Sequence, residues 1–381
     1  MLETQLHFNF KDLFRAPRLA LGRRMLVMLE ALLVSYFVHL LLTYITLLVE
    51  GHSFGSIWND IHLFPGFFIC YGTTLTGRIL MALAHVLAVI PICLGFTAVA
   101  KITIKEYKGN LFYSARDGWK WAFDNWFPVF FGPLSIAIII LFFVILAIIL
   151  GWFAQWPLLD ILIYGLLFII FVPTALFLAV SVLALFVSLY MSPAIVACAE
   201  EDTMGTLFGS YTLLWNQPVR LIGYSLVVLL SALIGYHIFH FFMLSAFKFI
   251  DLVFGHKFIM GDSYLAIKQV GLDLFAAYQF LPSYFRIPEC LDMGHIAAIS
   301  PSITQTITGV LVGFVSLMAF LAVPAYALAT LATGFASSFI VLTKHKDDQD
   351  LIKRLDADER AEKEEEEKEE SIEGTEKNTA E

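Results

Sequence analysis

Residues 127–153 read FPVFFGPLSIAIIILFFVILAIILGWF, a run of 27 residues without one charged side chain. A helix needs about 20 mostly apolar residues to cross a hydrocarbon core of roughly 30 Å. The whole chain agrees with this local signal, because 59% of its 381 residues are hydrophobic and only 15% are charged, far from the balance of a soluble domain. The run therefore predicts a transmembrane helix.

Five further runs of this kind predict, together with the first, an all-α integral membrane protein with six transmembrane helices. The fourth and sixth runs are longer than a perpendicular crossing requires, and they contain Pro173 and Pro324. We therefore expect a tilt, a kink or an extension past the membrane in both. The six predicted spans are 25–49, 79–100, 127–153, 158–191, 221–250 and 303–342.

The distribution of lysine and arginine among the connections predicts the orientation of the chain. Cytoplasmic loops retain an excess of these residues. The segment before the first span carries five of them and the connection between the second and third spans carries five, whereas three connections on the opposite side share at most five. Both termini are therefore expected in the cytosol.

The formal charge of −9 is concentrated at the end of the chain. Residues 344–381 hold 16 acidic and 8 basic side chains and no aromatic one, whereas the rest of the chain holds 17 acidic and 16 basic side chains. Such a segment cannot bury enough apolar surface to fold alone. We predict an interfacial segment at 1–24, a membrane domain at 25–343 and a disordered acidic tail at 344–381, which stays in water or contacts a basic partner.

Three stretches outside the spans have the composition of amphipathic helices on the bilayer surface. Residues 8–21 mix aromatic and aliphatic side chains with basic ones, which is typical of an interfacial helix on an anionic leaflet. Residues 53–71 and 262–280, on the predicted outer side, are candidates for the same arrangement. Cys70 and Cys290 also fall on that side, and the sequence leaves a disulfide between them open.

A sequence repeat at an offset of 96 residues links two predicted cytoplasmic connections. Apolar residues at helical spacing predict a short amphipathic helix in each copy, whose apolar face lies on lipid or plugs the bundle. A glycine in each copy is expected to let the chain turn out of the preceding span. The fold thus includes an internal parallel duplication of helix-elbow-helix hairpins, with units at about 79–153 and 158–250. The matching residues are Gly109, Leu111, Phe112, Ser114 and Trp119 in the first copy and Gly205, Leu207, Phe208, Ser210 and Trp215 in the second.

The second copy also carries a family resemblance. Its pattern resembles uncharacterised bacterial six-helix membrane proteins of the YciC type and the membrane domain attached to some glycerophosphoryl diester phosphodiesterases. The resemblance implies six helices, a cytoplasmic elbow and a bacterial inner membrane. It implies no activity, since no soluble segment is long enough for a catalytic barrel of about 250 residues. The residues that carry it are Pro193-Ala-Ile-Val, Glu200, Glu201, Gly205, Ser210 and Leu214.

Four histidines lie within predicted spans, where ionisable residues are rare and often functional. Counted from the predicted cytoplasmic ends, all four lie roughly 14 to 20 residues along their helices, in one layer of the bilayer. Such a layer could bind haem or a chlorophyll-like pigment through neutral imidazole. The simpler interpretation, which we favour, is hydrogen bonding across helices or at the headgroup boundary, with no cofactor. They are His39, His85, His237 and His240.

The sequence contains no catalytic motif of a known class, neither a Gly-x-Ser-x-Gly elbow nor a Walker A loop nor His-Glu-x-x-His. We therefore expect a non-enzymatic scaffold or accessory subunit of a membrane complex. Its expected partners are the lipid bilayer and other membrane subunits or a second copy of itself, and no nucleic acid. The alternatives are a transporter of a lipid-like or small apolar molecule and a haem- or pigment-binding subunit. A polar or fenestrated cavity between spans two to five would favour transport, and a bundle filled by Leu, Ile and Phe with an exposed flat apolar flank would favour a subunit.

Overall fold

The computed structural model describes residues 6–63, 72–156, 158–274, 301–347, 350–356 and 359–360. Every regular element within these residues is a helix, and six helices are long and apolar enough to cross a membrane. The all-α polytopic membrane fold expected from the sequence is thereby confirmed. Cys70 and Cys290 lie outside the described residues.

The described part of the chain contains eleven α-helices, of which α2, α4, α6, α7, α9 and α11 are the six spans. A 3-10 helix, Phe10–Arg15, precedes α1, and a π-helix, Asp160–Leu166, precedes α7. The bounds are α1 Ala16–Leu19, α2 Arg23–Val49, α3 Phe54–Ile61, α4 Leu75–Tyr107, α5 Ala115–Asp124, α6 Trp126–Phe153, α7 Phe168–Ala199, α8 Thr203–Asn216, α9 Pro218–Phe254, α10 Asp262–Asp273 and α11 Ile303–Asp347.

Several spans extend further than their apolar runs, and α4 and α7 do so by the largest margins. The second predicted span ends at residue 100, but α4 continues for about two more turns to Tyr107, and these turns carry Lys101 and Lys105. The fourth ends in the sequence at residue 191, but α7 continues to Ala199 with Pro193 inside it. Hydropathy placed both ends too early, because the charged residues and the proline lower the local hydropathy without ending the helix.

Helices are present in all three stretches that were predicted to lie on the bilayer surface, and that position stays a prediction. Segment 8–21 contains the 3-10 helix and α1. Segment 53–71 contains α3. Ser53 is the N-cap of this helix, and its hydroxyl accepts a hydrogen bond from the Ser56 amide at 3.3 Å. Segment 262–280 contains α10. Residues 64–71 and 275–280 of these segments lie outside the described residues.

The chain folds as two compact units, described separately below. The first comprises Met1–Leu13, Ala100–Leu226 and Gly334–Glu381. The second comprises Phe14–Val99 and Val227–Thr333.

In the first unit, α6, α7 and α8 pack against one another. Ile136 of α6, Ala184 of α7 and Leu207 of α8 form a buried apolar cluster at this junction. Gly132 allows α6 and α8 to approach closely, because a Cβ atom there would lie 2.6 Å from the Thr206 methyl carbon. Small residues at such contacts are typical of helix packing in membranes.

In the second unit, α2 packs against α4 through small and polar side chains. A Cβ atom on Gly95 would lie 2.9 Å from the Cβ of Ala31, so the two helices approach closely at this point. The Ser35 hydroxyl donates a hydrogen bond to the Ala88 carbonyl at 2.5 Å. These contacts fix the lateral position of α2 on α4.

The first elbow contains α5, which begins at a capping box. The Ser114 hydroxyl accepts a hydrogen bond from the Asp117 amide at 3.2 Å, and the Asp117 carboxylate accepts one from the Ser114 amide at 3.1 Å. Hydrogen bonds from Ser114 lower the pKa of Asp117 below its ordinary value. Gly109 has φ 95°, as expected for a turn out of α4. Phe112 is 94% exposed, which fits contact with lipid rather than a plug.

The second elbow contains α8 and has a different backbone at the matching residues. Asp202 caps α8 by accepting a hydrogen bond from the Gly205 amide at 2.7 Å, so Gly205 lies inside the helix. The expectation that Gly205 provides a turn is therefore wrong. Ser210 is buried in mid-helix and donates to the Thr206 carbonyl at 2.9 Å, whereas its counterpart in the first elbow is a helix cap. The order span, short helix, span occurs in both halves, and the duplication itself stays a prediction.

Candidate functional site

Two of the four predicted histidines meet in the second unit. The rings of His39 on α2 and His85 on α4 are in edge-to-face contact, with centroids 5.0 Å apart. His39 is buried, and Nδ1 of His85 lies 2.6 Å from the Met81 carbonyl oxygen. The rings touch directly, so no planar macrocycle fits between them in this packing.

The other two histidines lie next to a tyrosine on α9. Tyr236 stacks on His240 with ring centroids 5.8 Å apart and contacts His237 edge-to-face at 5.3 Å. Within the described ranges, no group of three His, Cys, Asp or Glu side chains is placed to hold a metal ion. The predicted histidine layer thus forms local aromatic contacts, and the proposal of a pigment or haem ligand gains no geometric support from them.

A densely charged site, which the sequence analysis missed, lies at the end of α4 in the first unit. Lys101, Lys105 and Lys108 are spaced so that they share one face of the helix. Their side chains are 0%, 5% and 6% exposed. We call these three residues the lysine cluster. Buried ammonium groups at such close range require negative partners.

Two carboxylates from the end of the chain supply these partners. Oδ2 of Asp356 lies 3.1 Å from Nζ of Lys101 and 2.9 Å from Nζ of Lys105, and its Oδ1 contacts Lys108. Oε1 of Glu359 lies 3.0 Å from Lys105, and its Oε2 lies 3.0 Å from Lys108. Two carboxylates therefore bridge all three ammonium groups.

The segment that carries these carboxylates was expected to be a disordered tail in water. Instead, Leu351 is 2% exposed and Asp356 is 4% exposed. The expectation is therefore wrong for residues 350–356, which are held by ion pairs that no window of local sequence shows. Residues 361–381, with most of the acidic side chains, lie outside the described residues.

The charge of the lysine cluster also sets the ionisation of its partners. Burial alone would raise the pKa of the Asp356 carboxyl, but the charge of Lys101 and hydrogen bonds from the other two lysines outweigh it and lower the pKa to about 2. For Glu359 burial also opposes ionisation, and hydrogen bonds from the Asp356 amide and Lys108 lower its pKa. Both carboxylates are ionised at neutral pH.

A third carboxylate reaches Lys101 from α7. Glu200 is the C-terminal cap of that helix and has left-handed backbone, with φ 52° and ψ 42°. Its Oε1 lies 2.7 Å from Nζ of Lys101, and its Oε2 lies 3.9 Å from the Arg360 guanidinium. The Lys101 ammonium also lies 4.5 Å from the centre of the Trp121 ring, a cation-π distance. Segments distant in sequence thus converge on one ammonium group.

A second feature is an apolar cavity of about 510 Å³ between α9, α10 and α11 in the second unit. Small-molecule sites have volumes of roughly 300–1,000 Å³. His240 and Asp251 both line the cavity and are 11 residues apart on α9, so it extends over roughly 16 Å of that helix. We call it the α9–α11 cavity. Its apolar lining includes Met243, Leu244, Phe247, Ile267, Leu311 and Phe320.

One part of this cavity is polar. The Asp251 side chain, which is 9% exposed, accepts hydrogen bonds from Nζ of Lys268 at 2.7 and 2.8 Å and from the Tyr264 hydroxyl at 2.5 Å. Burial, and then the hydrogen bond to Asp251, raises the pKa of the Tyr264 phenol, so this group remains a donor. The wall thus offers a neutral ion pair and a hydroxyl beside apolar side chains.

Glycines bring α10 and α11 together along the cavity. A Cβ atom on Gly271 would lie 3.1 Å from the Gly309 carbonyl oxygen and 3.3 Å from the Gly313 nitrogen. The two backbones are therefore nearly in contact, as at other small-residue interfaces in membranes. This contact fixes the wall that carries Lys268.

Comparison with known proteins gives no family for this chain. No family model, no curated protein and no solved structure matches it. The resemblance to YciC-type proteins stays an expectation from sequence.

Proposed function

We propose that this polytopic membrane protein is non-enzymatic, binds a lipid-like amphiphile in the α9–α11 cavity and transports it. The observation that carries the proposal is a cavity of about 510 Å³ with mostly apolar walls and one polar region. The cavity lies at the fifth and sixth spans, and not between spans two to five as considered from the sequence. It favours the transporter alternative over the scaffold that the sequence ranked first.

The shape and polarity of the cavity support an amphiphile rather than an ion or a sugar. Its length of roughly 16 Å along α9 suits an elongated apolar chain. An apolar cavity cannot compensate the lost hydration of a hydroxyl-rich or charged ligand. A hydrocarbon chain gains about 25 cal/mol for each Å² that it removes from water.

The polar region indicates the kind of headgroup. Asp251 and Lys268 neutralise each other at 2.7 Å, so this region has a strong dipole and no net charge. A neutral or zwitterionic headgroup matches it without leaving one member of the pair unpaired. The Tyr264 hydroxyl, held on Asp251, restricts where the headgroup lies.

The proposal is tested by filling the cavity. Leu244→Trp places a larger ring on the cavity wall, and Leu252→Trp makes the same change on α9 at a side chain that is 69% exposed and does not line the cavity. We expect Leu244→Trp to lower binding of a fluorescent acyl lipid at least tenfold and to slow its movement across reconstituted vesicles. The control variant should stay within twofold of wild type.

Equal binding by the two tryptophan variants would refute the proposed site. Binding that falls in Leu244→Trp without any lipid movement in wild-type vesicles would retain the binding site and reject transport. Mass spectrometry of lipids that copurify with the wild-type protein identifies the headgroup.

A second candidate function is the subunit or scaffold role expected from the sequence. It is favoured by the hairpin of α6 and α7, because only 6% and 11% of their most apolar stretches are buried, against 28% for α2. Either lipid or a partner subunit could cover this apolar surface of α6 and α7. The particle mass in mild detergent decides between them: additional protein supports the subunit role, and a single chain with lipid and detergent rejects it.

A further inference from the structure

The lysine cluster has the composition of an anion site that is already filled. We propose that Lys101, Lys105 and Lys108 form a binding site for a phosphate-bearing ligand, and that Asp356 and Glu359 occupy it as an internal substitute. The ligand is either a free phosphate compound or the phosphate of a lipid headgroup. This inference concerns the first unit and does not depend on the α9–α11 cavity.

The first argument is the charge that remains when the end of the chain is removed from the site. Among the described residues outside segment 350–360, Glu200 is the carboxylate that would stay paired with the cluster, through Lys101. Two positive charges would then be in excess on three neighbouring ammonium groups, whose side chains are at most 6% exposed while the segment covers them. Unpaired charge of one sign is unfavourable at such a site. An anion with about two negative charges restores the balance.

The second argument is the match between a phosphate group and the carboxylates that it would replace. A phosphate monoester carries about −1.5 to −2 charges at neutral pH and three acceptor oxygens. Asp356 and Glu359 carry two charges and place acceptor oxygens on all three ammonium groups at about 3 Å. Lysine binds phosphate as a point charge with three donors. Three converging lysines therefore fit this ligand.

The third argument is that the present occupant is held mainly by charge. Among the described residues 350–356 and 359–360, Leu351 is the one buried apolar side chain, whereas Lys353 and Arg354 are exposed. The Glu359 side chain is 28% exposed, so one edge of the site is open to solvent. Ionic contacts weaken in salt and are open to competition by another anion.

Binding to the full-length protein in detergent tests this proposal. The probes are inorganic phosphate and short-chain phosphatidic acid, with short-chain phosphatidylcholine as the reference lipid. Asp356→Asn with Glu359→Gln frees the lysines, and Glu369→Gln with Glu370→Gln removes the same charge elsewhere in the acidic tail. We expect the first pair to bind phosphate or phosphatidic acid at least tenfold more tightly than wild type, and the control pair to bind as wild type does.

Adding Lys105→Gln and Lys108→Gln to the freed protein should abolish the gain. Tightening for inorganic phosphate identifies a soluble phosphate ligand, and tightening for phosphatidic acid alone identifies a lipid headgroup. No gain for either probe, or the same gain in the control pair, overturns the proposal.

A measurement on the wild-type protein removes the dependence on variants that fold. If phosphate displaces the occupying segment, trypsin should cut after Lys353 and Arg354 several times faster than in chloride at equal ionic strength, since cleavage needs a locally open chain. Phosphatidic acid is tested against phosphatidylcholine in the same way. Equal cleavage with every probe overturns the proposal.

Discussion

Replacing Asp356 by asparagine removes one charge that three buried ammonium groups share. The pKa of this carboxyl falls from an ordinary 3.8 to about 2 when the segment docks. At about 1.4 kcal/mol for each pKa unit, the ionised carboxylate contributes about 2 kcal/mol to docking. Loss of one partner from a fully buried ion pair costs about 3–5 kcal/mol. We expect Asp356→Asn to weaken docking by about 2 kcal/mol rather than 3–5. Lys101 keeps Glu200 as a partner in this variant, and Lys105 and Lys108 keep Glu359.

Amide hydrogen exchange of peptide 350–356 in the full-length protein measures this loss. About 2 kcal/mol corresponds to roughly 30-fold faster exchange, since every 1.4 kcal/mol is a factor of ten. Asp273→Asn, at an exposed side chain of α10, is the control and should leave exchange unchanged. The reasoning is refuted if Asp356→Asn alters exchange less than twofold, or if the control has the same effect.

Three further predictions concern acid, packing and capping. Because docking lowers the pKa of Asp356, its contribution should be complete above about pH 4 and lost as the pH falls through about 2, which exchange corrected for intrinsic rates can follow. Gly95→Ala should lower the free energy of unfolding, measured in mixed detergent, by about 1–3 kcal/mol, since the new methyl meets an alanine methyl at 2.9 Å. The new methyl of Gly151→Ala meets nothing within 4 Å, so this control variant should be neutral or slightly stabilising. Ser114→Ala should cost about 1 kcal/mol by the same assay, because it removes a helix cap, and Ser210→Ala in mid-helix should cost less; equal losses would contradict the difference between the elbows.

The six spans were predictable because they depend on consecutive residues. A run such as 127–153 contains its own signal, since length and apolarity suffice for a crossing. The ends were less predictable. Hydropathy favours a stop at residue 100, but α4 continues through Lys101 and Lys105 to Tyr107, because side chains from distant segments neutralise the charges.

Counting residues along the predicted spans located the four histidines only in part. Depth along the predicted spans put His39 and His85 at one level, and their rings are in contact in the structure. Counting residues along a span gives the depth of a side chain but not its direction around the helix axis. The count therefore could not show which histidines face each other. His240 lies instead on the wall of the α9–α11 cavity.

The lysine cluster could not be predicted from local sequence. Lys101 and Asp356 are 255 residues apart, and each has an ordinary local explanation, as a positive charge at a cytoplasmic helix end and as an acid of a solvated tail. The available clue was the spacing of the three lysines, which places them on one face. A single face with three ammonium groups at the end of an apolar span calls for an anion.

The α9–α11 cavity could not be predicted from the sequence, for a different reason. Its existence depends on the volume left between packed helices, and on glycine contacts such as that of Gly271 with α11. Asp251 and Lys268 are 17 residues apart, on two different helices. Their pairing follows from the turn between α9 and α10.

The left-handed backbone of Glu200 sets a limit on how this protein tolerates substitution. Glycine is the residue that adopts such a conformation without steric cost, and other residues lose about 1–2 kcal/mol there. Glutamate at this position accepts that strain and delivers a carboxylate to Lys101. Glu200→Gly would relax the chain while leaving the buried ammonium one partner short. Selection for thermostability alone could accept Glu200→Gly, whereas selection for the ion pairs of the lysine cluster would reject it.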